Sequence, residues 1–255
     1  MTTRILKYFT LLLAIAGFTF PAAAENGKFY TKRALLEDFT AKMTKVVLTG
    51  DAMADAVIRE ETSTRWDLSP FEFCTVDDYE ALKESSNYYF LHFVRYDDVL
   101  FLSLDKGGTK DDPDIRKRCF EVVSIPVSGA DRQTMENLAY MSAFIDIIQE
   151  FVGLAMTSDS KAYSGIQVFN RSLAGKKICL DAGKAGGLFA EEASDVLVGV
   201  TVSAEKPHIG SWCYKMLISC DTHELYYVQK HKISANRSAG WLDSEIRRFN
   251  GNTAE

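Results

Sequence analysis

Residues 88–104 read YYFLHFVRYDDVLFLSL, two apolar and aromatic-rich runs on either side of a pair of aspartates. Runs of this length and composition are typical of β-strands. Because Asp97 and Asp98 leave room only for a tight turn, we expect the two runs to pair as an antiparallel hairpin. The segment therefore predicts strands over residues 88–96 and 99–104.

Upstream of this hairpin, strands alternate with helices. Residues 45–49 (KVVLT) and 71–74 (FEFC) predict two strands. Asp51 and Thr75 are suited to cap the helices that follow, which should run to about residues 64 and 84. Strands separated by helices are typical of a sheet with helices packed on it. Downstream of the hairpin, residues 119–127 predict a further strand.

The clearest helical pattern lies between residues 132 and 156. Its apolar residues recur at alternating steps of three and four, which places them on one face of a helix. They are Leu138, Met141, Ile145, Ile148, Val152 and Ala155. We expect this helix to face the core.

The last third of the chain predicts more strands than helices. Strands are expected over residues 176–180 and 196–202, with a loose glycine-containing loop over residues 182–187 between them. A short helix over residues 240–249 should close the chain.

A second hairpin is predicted from residues 212–220 and 225–230. Alternate residues of a strand share a face, so apolar residues such as Trp212 and Met216 point one way and Lys215 points the other. One face of this hairpin is expected to be buried and the other to be wet or partly covered.

Together these elements predict an α/β (or α+β) protein. It should contain a mixed β-sheet with helices packed on its faces and an antiparallel C-terminal hairpin. Residues 25–255 are expected to form a single domain, with a possible subdivision near residues 157–165.

The first 24 residues have the layout of a secretory signal peptide. Arg4 and Lys7 are positively charged, residues 9–20 are almost entirely apolar, and a run of small residues ends at Ala24. The apolar run is shorter than the roughly 20 residues that span a bilayer, and no later stretch is expected to span one. After cleavage near Ala24, we expect the chain in the periplasm or outside the cell.

Charge and cysteine content narrow the choice of partners. A formal charge of -6, from 29 basic and 35 acidic residues, argues against a nucleic acid as a partner, since phosphates need a basic face.

The five cysteines lie beside apolar residues and form no C-x-x-C motif, so buried free thiols are expected. Cys213 and Cys220 are an odd number of positions apart on one strand and should not bridge each other.

Two short motifs resemble functional sequences but are incomplete. Gly183-Lys184 lacks the spacing and the following Ser or Thr of a phosphate-binding loop. His223-Glu224 lacks the second histidine of a zinc protease, because Tyr227 occupies its place. The G-x-S-x-G elbow of the α/β-hydrolases is also missing. We therefore expect neither a metal site nor a cofactor.

Other arrangements stay open at this point. A nucleophilic Cys/His pair could form in space. Asp146 and Glu150, four residues apart on the long helix, could be a carboxylate pair like that of glycosidases or a solvated helix edge. Ligands in α/β sheets tend to bind beyond the carboxyl ends of parallel strands, where Asp51 and Thr75 lie. These two are the candidate ligand-binding residues, and helix capping explains them as well.

Three segments resemble uncharacterised exported α/β proteins of anaerobic gut bacteria. They are Arg65-Trp66 with residues 69–73 (SPFEF), residues 88–91 (YYFL) and residues 240–246 (GWLDSEI). The resemblance implies a single domain built on a mixed sheet. It carries no activity, cofactor or catalytic residue.

These observations lead to two expectations about function. The first is an exported, soluble, non-enzymatic protein that binds an unknown partner protein or small-molecule ligand, or serves as an accessory of the cell envelope. The alternative is a hydrolase that acts on an envelope or dietary polymer, with a site assembled from scattered residues.

Overall fold

The computed structural model describes residues 31–108, 120–130 and 136–249. Within these ranges the chain is an α/β protein with two mixed sheets, one of five strands and one of four. The predicted fold class is therefore confirmed. The strands are divided between two sheets, where the sequence had indicated one.

The first sheet has the strand order β2-β1-β3-β4-β5. Strand β1 is parallel to β2 and β3, and β4 is antiparallel to β3 and β5. The bounds are β1 Met43–Val47, β2 Phe71–Cys74, β3 Tyr88–Tyr96, β4 Val99–Lys106 and β5 Phe120–Gly129. The predicted hairpin of β3 and β4 is thus confirmed.

Helices connect the three parallel strands of this sheet. Helix α1 (Ala52–Arg65) lies between β1 and β2, and helix α2 (Val76–Leu82) lies between β2 and β3. Two short 3₁₀ helices, Arg33–Leu36 and Phe39–Ala41, precede β1.

A long, apolar helix, α3 (Met141–Thr157), follows the first sheet after a 3₁₀ turn over Glu136–Tyr140. It ends within a residue of the predicted position but begins later, and the predicted start near residue 132 lies outside the described residues. Ten of its 17 residues are buried, so it is a core helix as expected.

The second sheet has the order β6-β7-β8-β9, with β6 parallel to β7 and the remaining pairs antiparallel. Helix α4, a 3₁₀ helix and helix α5 flank its first strand, and helix α6 follows its last. The bounds are α4 Asp159–Ser164, 3₁₀ Gly165–Phe169, β6 Lys177–Cys179, α5 Ala182–Ala190, β7 Val196–Ser203, β8 Trp212–Ser219, β9 Leu225–Lys232 and α6 Asp243–Phe249.

The loop predicted over residues 182–187 is wrong, because helix α5 occupies them. Asp181 caps this helix by accepting a hydrogen bond from the backbone N–H of Gly183, at 2.8 Å. Ala185 and Phe189 are buried on one side of the helix. Burial and capping therefore outweigh the low helix propensity of its three glycines.

The two sheets share one arrangement of strands. Strands β1, β3, β4 and β5 are paired parallel, antiparallel and antiparallel, and strands β6, β7, β8 and β9 repeat this order. Strand β2 and its helix are an addition to the first sheet. This repetition lies in the topology, and no short sequence repeat accompanies it.

One apolar core joins the two sheets. It contains side chains from β1, β3, β4 and β5 together with side chains from β6 to β9, and α3 contributes the largest share. Residues 157–165, where a subdivision was possible, contain the whole of helix α4, and Ala162 of this helix belongs to the same core. Two smaller apolar clusters lie beside this core, one around Leu217 and Phe249 and one around Val47 and Phe90, and the single domain stays a prediction.

Helix length and composition bear on the expectation about membranes. In the described part of the chain, residues 137–157 form a helix that is long and apolar enough to cross a bilayer, with a mean hydropathy of 1.4. Because 67% of this segment is buried, a core helix accounts for the same composition. The absence of a membrane span stays a prediction.

The outer face of β8 is better covered than the sequence indicated. Helix α6 packs over it, and Lys215 is only 1% exposed. The expectation of a wet or partly covered face is therefore wrong at this position. On the same sheet, Cys213 and Cys220 are buried and unbridged, as predicted, and so are the other two described cysteines, Cys74 and Cys179.

Candidate functional site

The first sheet has a topological switch point between β1 and β3. The chain leaves β1 through α1 towards β2, then crosses through α2 to β3 on the other side of β1. Ile58 of α1 packs on the face that carries Leu91, whereas Tyr79 of α2 packs on the opposite face, against Phe90. Ligands of open α/β sheets bind outside the carboxyl ends of the strands at such points.

We call the end of the first sheet where β1, β2 and β3 finish the carboxyl edge; it comprises residues 48–55, 75–78 and 96–98. Both sequence-predicted residues, Asp51 and Thr75, lie on it. Strands β1 and β2 are parallel neighbours, so the structure brings these residues to one edge as the ligand hypothesis requires.

Both candidate side chains are engaged as helix caps. The carboxylate of Asp51 accepts hydrogen bonds from the backbone N–H groups of Met53 and Ala54, at 3.1 and 2.8 Å. The hydroxyl of Thr75 accepts from the N–H of Asp78, whose carboxylate accepts in return from Thr75. Their roles in ligand binding stay predictions, because capping explains each contact.

The turn after β1 is also satisfied by the chain itself. The carboxylate of Asp55 accepts hydrogen bonds from the backbone N–H groups of Thr49 and Gly50, at 2.7 and 2.9 Å. In nucleotide-binding folds these groups hold a phosphate. Here an aspartate occupies that position, which makes the edge unfavourable for anions.

The carboxyl edge is strongly acidic. Six aspartates lie on it, and all of them are exposed or partly exposed: Asp51, Asp55, Asp77, Asp78, Asp97 and Asp98. Hydrogen bonds from the backbone and hydroxyl of Thr75 lower the pKa of Asp78. This carboxyl group therefore stays charged at neutral pH.

Exposed apolar side chains accompany these aspartates. Of the five large apolar residues that are exposed in the described ranges, three lie on the carboxyl edge: Met53 (62% exposed), Val76 (49%) and Tyr96 (42%). A fourth, Ile209, follows His208, whose Nε2 lies 3.3 Å from the Asp98 carboxylate. The edge therefore combines negative charge with apolar surface.

A second polar cluster joins residues that the sequence presented separately. Nδ1 of His223 lies 2.7 Å from the Asp146 carboxylate, which also accepts a hydrogen bond from Arg65 at 2.9 Å. The His223 ring stacks on Phe189, and its backbone has a φ of +59°. A histidine–aspartate pair of this kind can orient the histidine as a general base.

One turn further along α3, a second polar contact joins this helix to the β8–β9 turn, and it involves an arginine. Arg171 forms ion pairs with Glu150 and with Glu224, the neighbour of His223. Burial raises the pKa of Glu150, whereas at Glu224 the hydrogen bonds led by Arg171 outweigh burial and lower the pKa. The expected solvated helix edge is therefore a set of half-buried ion pairs between α3 and the β8–β9 turn.

A buried polar row on β3, β4 and β5 had no clear signal in the sequence. Nε2 of His92 lies 2.8 Å from the Asp105 carboxylate, which also accepts a hydrogen bond from Ser103 at 2.6 Å. Ser124 donates to Ser103. In this order the aspartate stands between the serine and the histidine, so the row lacks the serine–histidine contact of a catalytic triad.

Among the described residues, one cysteine and one histidine that could form the open Cys/His arrangement are neighbours across two strands. Cys213 and His231 are cross-strand partners on β8 and β9. Burial raises the pKa of the Cys213 thiol and lowers the pKa of His231. Both groups are therefore neutral, and the pair lacks the thiolate that nucleophilic attack requires.

The side chains that commonly bind metals are dispersed in the described part of the chain. Within them, no group of three or more His, Cys, Asp or Glu side chains could hold a metal ion. The zinc motif that begins at His223 stays incomplete in space, since this histidine contacts Asp146 and Arg65.

No family model, curated protein or solved structure matches the chain. The resemblance to exported α/β proteins therefore stays a prediction.

Proposed function

We propose that this chain is an exported, non-catalytic protein that binds a partner protein at its carboxyl edge, through a surface of the partner that carries basic and apolar side chains. The observation behind the proposal is that Met53 and Val76 lie with four aspartates at the ends of β1 and β2, and that Tyr96, Asp97 and Asp98 lie at the same end of the sheet, further along β3. Exposed apolar groups in a charged surrounding are typical of protein interaction sites.

The charge of the edge defines the partner. Aspartates at an interface favour a positive surface and repel a negative one, which speeds association and selects among partners. Met53 adds the flexible apolar contact area that is enriched in interfaces. Because the aspartates that cap α1 and the β1 turn occupy the backbone donors, an anionic small molecule is a poorer occupant.

The export part of the proposal depends on residues 1–24. Their order of positive, apolar and small residues is that of a signal peptide cleaved near Ala24. The partner would then be met in the periplasm or outside the cell.

Site-specific photo-cross-linking tests the proposed surface. A photoreactive amino acid is placed at Met53, at Val76 or, as a control, at Tyr163, which is 68% exposed on helix α4. In the cells that make the protein, we expect a discrete adduct from positions 53 and 76 and none from position 163. Equal adducts from all three positions, or none from the edge, would contradict the proposal.

The charge of the partner is tested with a second pair of variants. Asp77→Lys reverses one charge on the edge, and Glu191→Lys makes the same change at the end of α5. We expect only Asp77→Lys to reduce the adduct from position 53, and added salt to reduce it in the unmodified protein. If neither added salt nor Asp77→Lys changes the yield of the adduct, the proposal of a basic partner surface is refuted.

The hydrolase alternative is favoured by one observation, the His223–Asp146 pair. Its Nδ1 is held by a carboxylate, and no described residue hydrogen-bonds its Nε2, so Nε2 could accept a proton from water. To test this alternative, purified protein is incubated with cell-wall and plant polysaccharides. A hydrolase would produce new polysaccharide chain ends, and Asp146→Asn would abolish their production. A lack of turnover on both polymers would favour the binding protein.

A further inference from the structure

A small pocket lies beside helix α6. Its volume is about 310 Å³, and it is formed by the segment after β9 and the first turns of α6. The lining residues are Asn236, Arg237, Ser238, Trp241, Leu242, Asp243, Ser244 and Arg247. Six of these eight side chains are polar.

The two arginines of the pocket are not neutralised by the described residues. Neither Arg237 nor Arg247 has a side-chain hydrogen bond or an ion pair there, whereas Arg65 and Arg171 each contact two carboxylates. Asp243 is the single acidic residue in the lining. The pocket is therefore locally positive on a chain whose formal charge is -6.

The remaining lining suits a hydroxylated molecule. Asn236, Ser238 and Ser244 offer both donors and acceptors, and Asp243 offers acceptors for hydroxyl groups. Trp241 packs against Tyr227 and Phe249, and the part of its ring that lines the pocket can contact the C–H groups of a sugar ring. The volume lies at the lower end of the roughly 300–1,000 Å³ of ligand pockets, so one sugar ring with a substituent is a suitable occupant.

We infer that this pocket binds a sugar acid: its carboxylate would lie against the Arg237 and Arg247 guanidinium groups, and its hydroxyl groups would contact the neighbouring polar side chains. Guanidinium groups bind carboxylates through paired, charge-assisted hydrogen bonds. The pocket shares no lining residue with the carboxyl edge, so each proposal can fail without the other.

Matched sugars test the inference by calorimetric titration of the full protein. The probes are glucuronate and galacturonate, their neutral parents glucose and galactose, and inorganic phosphate. We expect at least one uronate to bind at least about tenfold more tightly than its neutral parent, because its carboxylate can form charge-assisted hydrogen bonds that the neutral sugar lacks. Phosphate should bind more weakly than that uronate because it lacks the ring.

Variants assign the binding to the pocket. Arg237→Gln with Arg247→Gln should weaken uronate binding at least about tenfold. The matched control is Arg33→Gln, which changes an exposed arginine on the first 3₁₀ helix. Near-ultraviolet circular dichroism shows whether each variant is folded.

Any of four results would overturn the inference. One is binding of the neutral sugars as tight as that of the uronates. Another is phosphate binding that equals uronate binding, which would define a general anion site. The third is a lack of binding by both uronates, and the fourth is uronate binding that the double arginine variant leaves unchanged.

Discussion

The ion pair between Lys215 and Glu245 gives the sharpest test of the energetics of this fold. Nζ of Lys215 lies 2.6 Å from one carboxylate oxygen of Glu245, and the Lys215 side chain is 2% exposed. Glu245 is 12% exposed and accepts further hydrogen bonds from the Tyr227 hydroxyl and from the N–H of Leu242. The two partners are therefore unequal: Glu245 has other donors, and its partner is almost fully buried.

This inequality predicts an asymmetry between single variants. Glu245→Gln leaves a buried ammonium group without a counter-charge and should cost about 3–5 kcal/mol of unfolding free energy. Lys215→Met leaves Glu245 with two donors and some contact with water, and should cost about 2 kcal/mol. The double variant removes both charges, so it should be less destabilised than the sum by about 1–3 kcal/mol.

Urea unfolding followed by circular dichroism measures all three variants. The urea concentration at the transition midpoint should be highest for the unmodified protein, lower for Lys215→Met and lowest for Glu245→Gln. The dependence of the unfolding free energy on urea should be similar for all of them. For a chain of this size Glu245→Gln should lower Tm by roughly 6–20 °C. Additive losses in the double variant, or a loss below about 1 kcal/mol for Glu245→Gln, would refute the reasoning about the buried charge.

The remaining predictions concern the stability of the fold at acidic pH, one helix cap and one tightly packed glycine. Hydrogen bonds from two lysines and a tyrosine outweigh burial and lower the pKa of Asp38, so its stabilisation is present above about pH 4 and lost at lower pH; Asp38→Asn should flatten the fall of the urea midpoint below about pH 4. Thr75→Ala removes a helix cap and should lower the free energy of unfolding, measured in urea, by about 1 kcal/mol. An unchanged free energy would contradict the capping role and favour ligand binding as the role of Thr75. At Gly199 a Cβ would lie 2.8 Å from a methyl carbon of Leu180, which can shift, and 3.1 Å from the Trp241 ring, which is packed against Tyr227 and Phe249; Gly199→Ala should therefore cost about 1–3 kcal/mol, and an unchanged Tm would contradict this packing.

Segments with strong local signals were predictable from the sequence. The bounds of β2 and β3, and the turn between β3 and β4, follow from composition and the Asp97-Asp98 turn alone. The periodic apolar residues of α3 gave its buried face. These elements depend on neighbours within a few residues, which a single sequence records.

Elements whose structure depends on distant residues were missed. Helix α5 contains three glycines and forms because Ala185 and Phe189 are buried against other parts of the chain. Lys215 was expected on a wet or partly covered face, because the pattern of its own strand gives no sign of a buried partner. That partner, Glu245, is 30 residues away in the sequence. In both cases a tertiary contact outweighs the local preference.

The candidate sites show the same limit. The positions of Asp51 and Thr75 after two strands were predictable, and so was their role as caps. The pairing of His223 with Asp146 was not, since 77 residues separate them. Each residue had been noticed separately, and only the packing of α3 against the β8–β9 turn brings them together.

Asp146 and Glu150 have a consequence for the passage of the chain through a membrane, if it is exported as proposed. They are the two charged residues in the apolar stretch 137–157, and they lie near its middle. An acidic residue there opposes insertion into a bilayer by about 2.5–3.5 kcal/mol. The pair that fastens this helix in the finished protein would therefore also keep the unfolded segment from lodging in the lipid on its way out.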